Sequence, residues 1–206
     1  MVIKESSDEL NPVTIAADVP ALPQQLALTP KDYAALAIAT CGVGYLPLAP
    51  GTWGSLVGIG VYAVVRGIGL KLMFDLAAAR NLTLLHVYSV TLMLELLAAV
   101  IITFIGIWAA SRTEKLSGTK DPSKVVIDEV AGQFIALLPV PFLINEAWWA
   151  AILAFVFFRF FDIVKPYPAR KFESLESGLG IMADDVVAGI YAAIVVAIAV
   201  TISWLL

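Results

Sequence analysis

The sequence predicts an all-α, polytopic membrane bundle, and three observations predict it. Hydrophobic residues make up 60% of the 206-residue chain and charged residues only 15%, whereas soluble domains run near ~45–50% and ~25%. The mean hydropathy is +0.90. The apolar residues also fall in runs close to the ~17–25 residues that cross ~30 Å of hydrocarbon. A chain this short has too little interior to hide so much apolar surface, so lipid must cover the excess.

Taken in order, residues 1–30 are expected to form a flexible polar tail, and residues 31–206 a single membrane-embedded unit. The opening MVIKESSDELNPVTIAADVPALPQQ contains three prolines and lacks the apolar centre of a signal peptide. Residues 31–46 are apolar but too short to cross securely, which predicts an interfacial or re-entrant helix. About five transmembrane helices follow, over 52–73, 87–110, 125–143, 147–164 and 181–206. The first opens after the turn formers PLAPGTWGS, and the last follows Gly178 and Gly180. The third is interrupted by Asp128, Glu129, Gln133, Pro139 and Pro141, and Pro166 and Pro168 end the fourth.

Antiparallel helices with short links place the 47–55, 111–124 and 165–180 loops on one side. That side carries Lys4, Lys31, Arg112, Lys115, Lys120, Lys124, Arg159, Lys165, Arg170 and Lys171, against Arg66, Lys71 and Arg80 on the other. The ten-to-three bias puts the shared side in the cytoplasm and the C-terminus outside.

Carboxylates cluster on that same side. Asp128 and Glu129 lie in KVVIDEVAGQ, Asp162 in FRFFDIVKPYP, and Asp184 and Asp185 in GLGIMADDVVAGIY. An Asp at the centre of a membrane helix costs ~2.5–3.5 kcal/mol on insertion scales, and such residues are functional candidates by default. Five acids at one membrane face repel one another, and a divalent cation relieves the repulsion. Oxygen ligands suit Mg²⁺, which takes one or two carboxylates together with water and phosphate. All five are therefore candidate metal ligands and catalytic residues. The plainer reading is that the acids near helix starts only complement the helix dipole. It fits Asp162 least, because that residue sits near a helix end. Lys165 and Arg159, each three residues from Asp162, are candidate phosphate contacts, with Arg170 assisting; a mutual ion pair is the alternative. Thr52 and Ser55 are candidate substrate contacts at a helix start, an anion site in itself, or simply its caps. Glu95 stands mid-helix, where it either pairs with a neighbouring helix or faces a polar cavity; no partner is evident in the sequence, and it is left outside the site.

Other chemistries are excluded. The only histidine, His86, is on the opposite face, and no GxxxxGK[ST] loop is present. The one cysteine, Cys41, admits no internal disulfide. No basic block points to nucleic acid. Metal-assisted attack on a phosphate fits what remains. A cation-coupled transporter using the acids as an ion pathway is the alternative, although such sites usually lie at the midplane between repeats.

The blocks PLAPGTWGS, KVVIDEVAGQ, FRFFDIVKPYPAR and GLGIMADDVVAGIYAA resemble, in order, the signature blocks of bacterial phosphatidylglycerophosphatase A over roughly residues 34–195. The resemblance implies Mg²⁺-dependent removal of the terminal phosphate from phosphatidylglycerophosphate, leaving phosphatidylglycerol, at the inner membrane. Some relatives carry a histidine just before the DE pair, where this chain reads Thr119-Lys120-Asp121-Pro122; Asp121 is thus a supplementary acid.

Overall fold

The structure is a computed structural model that describes residues 28–141, 148–172 and 175–206. Its elements are helices α1 (Pro30–Thr40), α2 (Pro50–Arg80), α3 (Leu84–Ser117), α4 (Ile127–Ala136), α5 (Trp148–Val164), α6 (Ala169–Phe172) and α7 (Ser177–Leu205), with a short 3₁₀ turn at Val43–Tyr45. No strand occurs among the described residues. Residues 1–27, which include most of the expected tail, lie outside them.

Three of these helices, α2, α3 and α7, are long and apolar enough to cross a membrane. At ~1.5 Å per residue the 31 residues of α2 reach ~46 Å, more than the hydrocarbon depth. Their outward faces are apolar. On α7, Ile190, Ile194, Ile198 and Ile202 form an exposed stripe at helical spacing, while Ala188, Ala192, Val196 and Val200 face the core. On α5, Ile152, Val156 and Phe160 point outward and Ala150, Ala154 and Phe158 inward. This helix has 17 residues.

The third expected crossing is not found as a full span. Helix α4 has only 10 residues, ~15 Å of rise, about half the hydrocarbon. A turn over 137–140 follows it, and residues 142–147 lie outside the description. Gln133 and the first-turn acids did not break the helix; it ends two residues short of Pro139, a residue with no N–H for a helical bond. Helix α4 is buried along nearly its whole length, with Val130, Ala131, Gln133, Phe134 and Ala136 at 0–2% exposure. It is the central post of the bundle, packed between α2 and α7.

Close backbone approach permits this. A methyl on Gly54 would lie 2.9 Å from Val126 Cβ, and one on Gly58 2.9 Å from the Val130 carbonyl. On the other side, a methyl on Gly132 would lie 2.6 Å from the Asp185 carbonyl. Small residues let helix backbones meet where lipid supplies no hydrophobic drive.

The foot of α4 is held by a buried ion pair. Arg66 Nε donates to Glu95 Oε1 at 2.7 Å and Nη2 to Oε2 at 3.1 Å, while Nη1 donates to the Val140 carbonyl at 2.6 Å. The guanidinium lies 4.5 Å over the Tyr62 ring, and Tyr62 meets Phe134 of α4 edge-on at 5.3 Å. Glu95, which has no evident partner in the sequence, pairs with the neighbouring helix, and Arg66, counted among the far-side cations, is engaged within the bundle and leaves that count. At the opposite end, Asp32 of α1 accepts from Arg112 of α3 at 2.5 Å. This hydrogen bond, with those from Thr29, holds the Asp32 carboxyl down at about 2.

Candidate functional site

The first turn of α4 carries Asp128 and Glu129, where the positive end of the helix dipole favours negative charge. Helix α7 runs alongside and contributes Asp185. One carboxylate oxygen from each of the three lies within 4.8 Å of the others. Asp128 Oδ1, Glu129 Oε2 and Asp185 Oδ2 are buried and lack hydrogen-bond partners. Buried polar atoms are nearly always paired, so three converging carboxylates that each keep an unpartnered buried oxygen call for a ligand. An oxygen-only donor set suits a hard divalent ion.

Asp162, near the end of α5, faces Asp185. Arg159 Nη1 contacts its Oδ2 at 2.6 Å and lies 4.0 Å from Glu129 Oε1. The Arg159 guanidinium thus sits between two of the acids. Asp184, adjacent in sequence to Asp185, turns elsewhere: Lys165 Nζ donates to its Oδ2 at 2.6 Å, while Oδ1 is buried without a partner. The five predicted acids are therefore gathered, but as a convergent trio flanked by two ion-paired members.

The backbone around this face is unusual. Leu48, Ala49, Asp121, Lys165 and Ser177 all have positive φ, a conformation that costs a non-glycine residue ~1–2 kcal/mol and that clusters at functional sites. Lys165, at φ 46°, closes the last turn of α5 through its N–H on the Phe161 carbonyl at 2.8 Å. Pro166 then blocks further helix. The ammonium is left beside α7.

The PLAPGTWGS segment differs from expectation. Pro50 opens α2, and the N-cap Ala49 offers no side-chain cap, so the capped-start reading fails. Ser55 is buried and donates its hydroxyl to the Gly51 carbonyl at 2.9 Å, within its own helix. Thr52 is half-buried in the first turn. The functional element here is Gly51: a Cβ at this position would collide with Glu129 Oε1 and stand 2.9 Å from Arg159 Nη1. Gly178 and Gly180, expected before the last helix, lie inside α7. Arg170 is exposed on α6.

Gln133 was noted in the sequence only as an interruption. It lies one turn below Glu129, fully buried, with both amide atoms lacking partners. Its spacing from Glu129 (i, i+4) was the available signal.

The model of the family described as phosphatidylglycerophosphatase A matches residues 36–200. A protein of Bacteroides thetaiotaomicron named putative phosphatidylinositol-3-phosphatase is 42% identical over 159 residues, covering 77% of this chain and 87% of that protein. Phosphatidylglycerophosphatase A of Haemophilus influenzae is 40% identical, covering 75% of this chain and 81% of the relative. That of Escherichia coli K12 is 33% identical, covering 74% of each. No solved structure gives a significant match.

Proposed function

The chain belongs to the phosphatidylglycerophosphatase A family, and we propose that it removes the terminal phosphate of phosphatidylglycerophosphate in an Mg²⁺-dependent reaction at the cytoplasmic face of the inner membrane. The observation that carries the metal-dependent part is the trio of orphan carboxylate oxygens on Asp128, Glu129 and Asp185. These three would hold Mg²⁺, with Asp162 alongside. When bound, the ion would supply charge neutralisation at the phosphate and alignment of an attacking oxygen.

The chain's own cations do the rest. Lys165 and Arg159 are kept at the site by Asp184 and Asp162, so both are in place before substrate arrives. Such preorganisation is what lets charge stabilise a transition state without reorganisation at the moment of reaction. Arg159 suits the bidentate recognition of phosphate oxygens, and Lys165 acts as a point charge. The same acids accommodate an attacking water or a carboxylate nucleophile. The lipid tails stay in the bilayer, because the acids lie in the first turn of α4, near the end of α5 and in the first third of α7 rather than at helix centres.

The three relatives are all named as lipid phosphatases, and this weighs against the transporter. The test is phosphate release by purified protein from phosphatidylglycerophosphate and from phosphatidylinositol 3-phosphate in mixed micelles. Release from the first should require Mg²⁺, stop in EDTA and return on adding Mg²⁺. Full turnover in excess EDTA would remove the metal. Release from the phosphoinositide alone would reassign the substrate.

A further inference from the structure

A cavity of about 220 Å³ opens beside Asp184, lined by Lys120, Asp121, Gly180, Ile181 and Asp184 itself. None of the convergent trio lines it. Its volume falls below the ~300–1,000 Å³ that encloses a drug-sized ligand, so it suits a headgroup fragment rather than a whole lipid. We propose that this cavity is the headgroup subsite of the enzyme, taking the phosphodiester and glycerol that lie beyond the scissile phosphate, with Lys120 as the residue that selects for the diester charge. The proposal rests on the lipid-phosphatase reading above.

The charge pattern leads to this assignment. A substrate with both a terminal monoester and an internal diester brings two separated negative charges to an acidic face. Lys165 and Arg159 are engaged at Asp184 and Asp162, close to the trio where the monoester must react. The diester needs a cation of its own, and Lys120 is the cation on the cavity wall. The 119–122 loop is shaped for it: Asp121 adopts a left-handed φ of 48°, a strained conformation of the kind retained at ligand sites. Gly180 leaves the opposing wall free of side chain. Asp184 provides the polar floor. It is 5% exposed, and its buried Oδ1 has no partner. A glycerol hydroxyl is a donor of the kind that oxygen lacks.

The experiment measures KM and kcat for phosphatidylglycerophosphate, and the inhibition constant of phosphatidic acid, which has a monoester but no headgroup diester. Both are measured in mixed micelles at saturating Mg²⁺. Lys120→Ala should raise KM roughly tenfold, the scale of one charge-assisted hydrogen bond, with kcat unchanged. Lys120→Glu should raise it further, and Lys120→Arg should restore most of the loss. Inhibition by phosphatidic acid should not move. An unchanged KM in Lys120→Ala would overturn the subsite. An equal weakening for both lipids would also overturn it, since that would reflect only general attraction to anionic micelles. Wild-type protein that releases no phosphate from phosphatidylglycerophosphate would overturn the phosphatase reading itself.

Discussion

Glu95→Gln should destabilise the protein far more than its distance from the acids suggests. Glu95 is 1% exposed and receives two hydrogen bonds from Arg66, whose third arm reaches the Val140 carbonyl. The neutral amide leaves a largely enclosed guanidinium, 13% exposed, without its counter-charge. Breaking a buried pair from one side costs ~3–5 kcal/mol. Glutamine keeps one acceptor, so about 3 kcal/mol is the working figure. For a chain of this size that is a fall of roughly 6–12 °C in melting temperature. Removing both charges in Arg66→Met/Glu95→Leu should cost less than Arg66→Met alone, because the buried carboxylate goes too. The remaining loss, ~1–3 kcal/mol, is the Val140 carbonyl left without a donor. Thermal unfolding of wild type, Arg66→Met, Glu95→Leu and the double variant in one detergent closes the cycle, with Glu95→Gln measured beside them. If Glu95→Gln melted within a degree of wild type, or if the double variant were the least stable, the pair would not be holding the foot of α4.

The acids themselves should show the opposite pattern. Asp128→Asn and Asp185→Asn should each lower kcat by at least ~10²-fold. Their melting temperatures, without added metal, should hold or rise because mutual repulsion is relieved; activity within tenfold of wild type would exclude them from the site. For topology, in a Cys41→Ser background, a cysteine at Ser123 should resist an impermeant thiol reagent in intact cells and one at Arg80 should react. Labelling of both would contradict a cytoplasmic acid face.

Much of the site was legible because charge in an apolar run is conspicuous. Asp128, Glu129, Asp162, Asp184 and Asp185 stand out by composition alone, whereas the half-length α4 that brings Asp128 and Glu129 to the others is not the full crossing that alternation assumes. The long helices α2, α3 and α7 follow from hydropathy. What stayed hidden depends on contacts distant in sequence. Arg66 and Glu95 lie 29 residues apart, and nothing local marks them as partners. The half-length of α4 is a tertiary matter too. The last carbonyls of α4 are met by the N–H groups of Leu137 and Leu138 in the turn that follows, and that turn is held from α2 by Arg66 on the Val140 carbonyl. Asp184 and Asp185 look equivalent as neighbours, but successive helical residues point ~100° apart. One therefore faces α4 and the other Lys165.

On α7, Gly189 and Ile190 are neighbours with opposite fortunes under substitution. A methyl at Gly189 would collide with the Gly132 carbonyl oxygen and stand 3.0 Å from its carbonyl carbon, with no rotamer available to give way, so its permitted alphabet is one letter. Ile190 belongs to the stripe that lipid wets, where any apolar residue of moderate size serves. The helix thus alternates between positions of no tolerance and positions of wide tolerance within a single turn. Room for substitution on this helix lies outward, at the membrane face, while the spacing between α4 and α7, and with it the distance from Asp128 to Asp185, is set by backbone atoms that no side-chain change can trim.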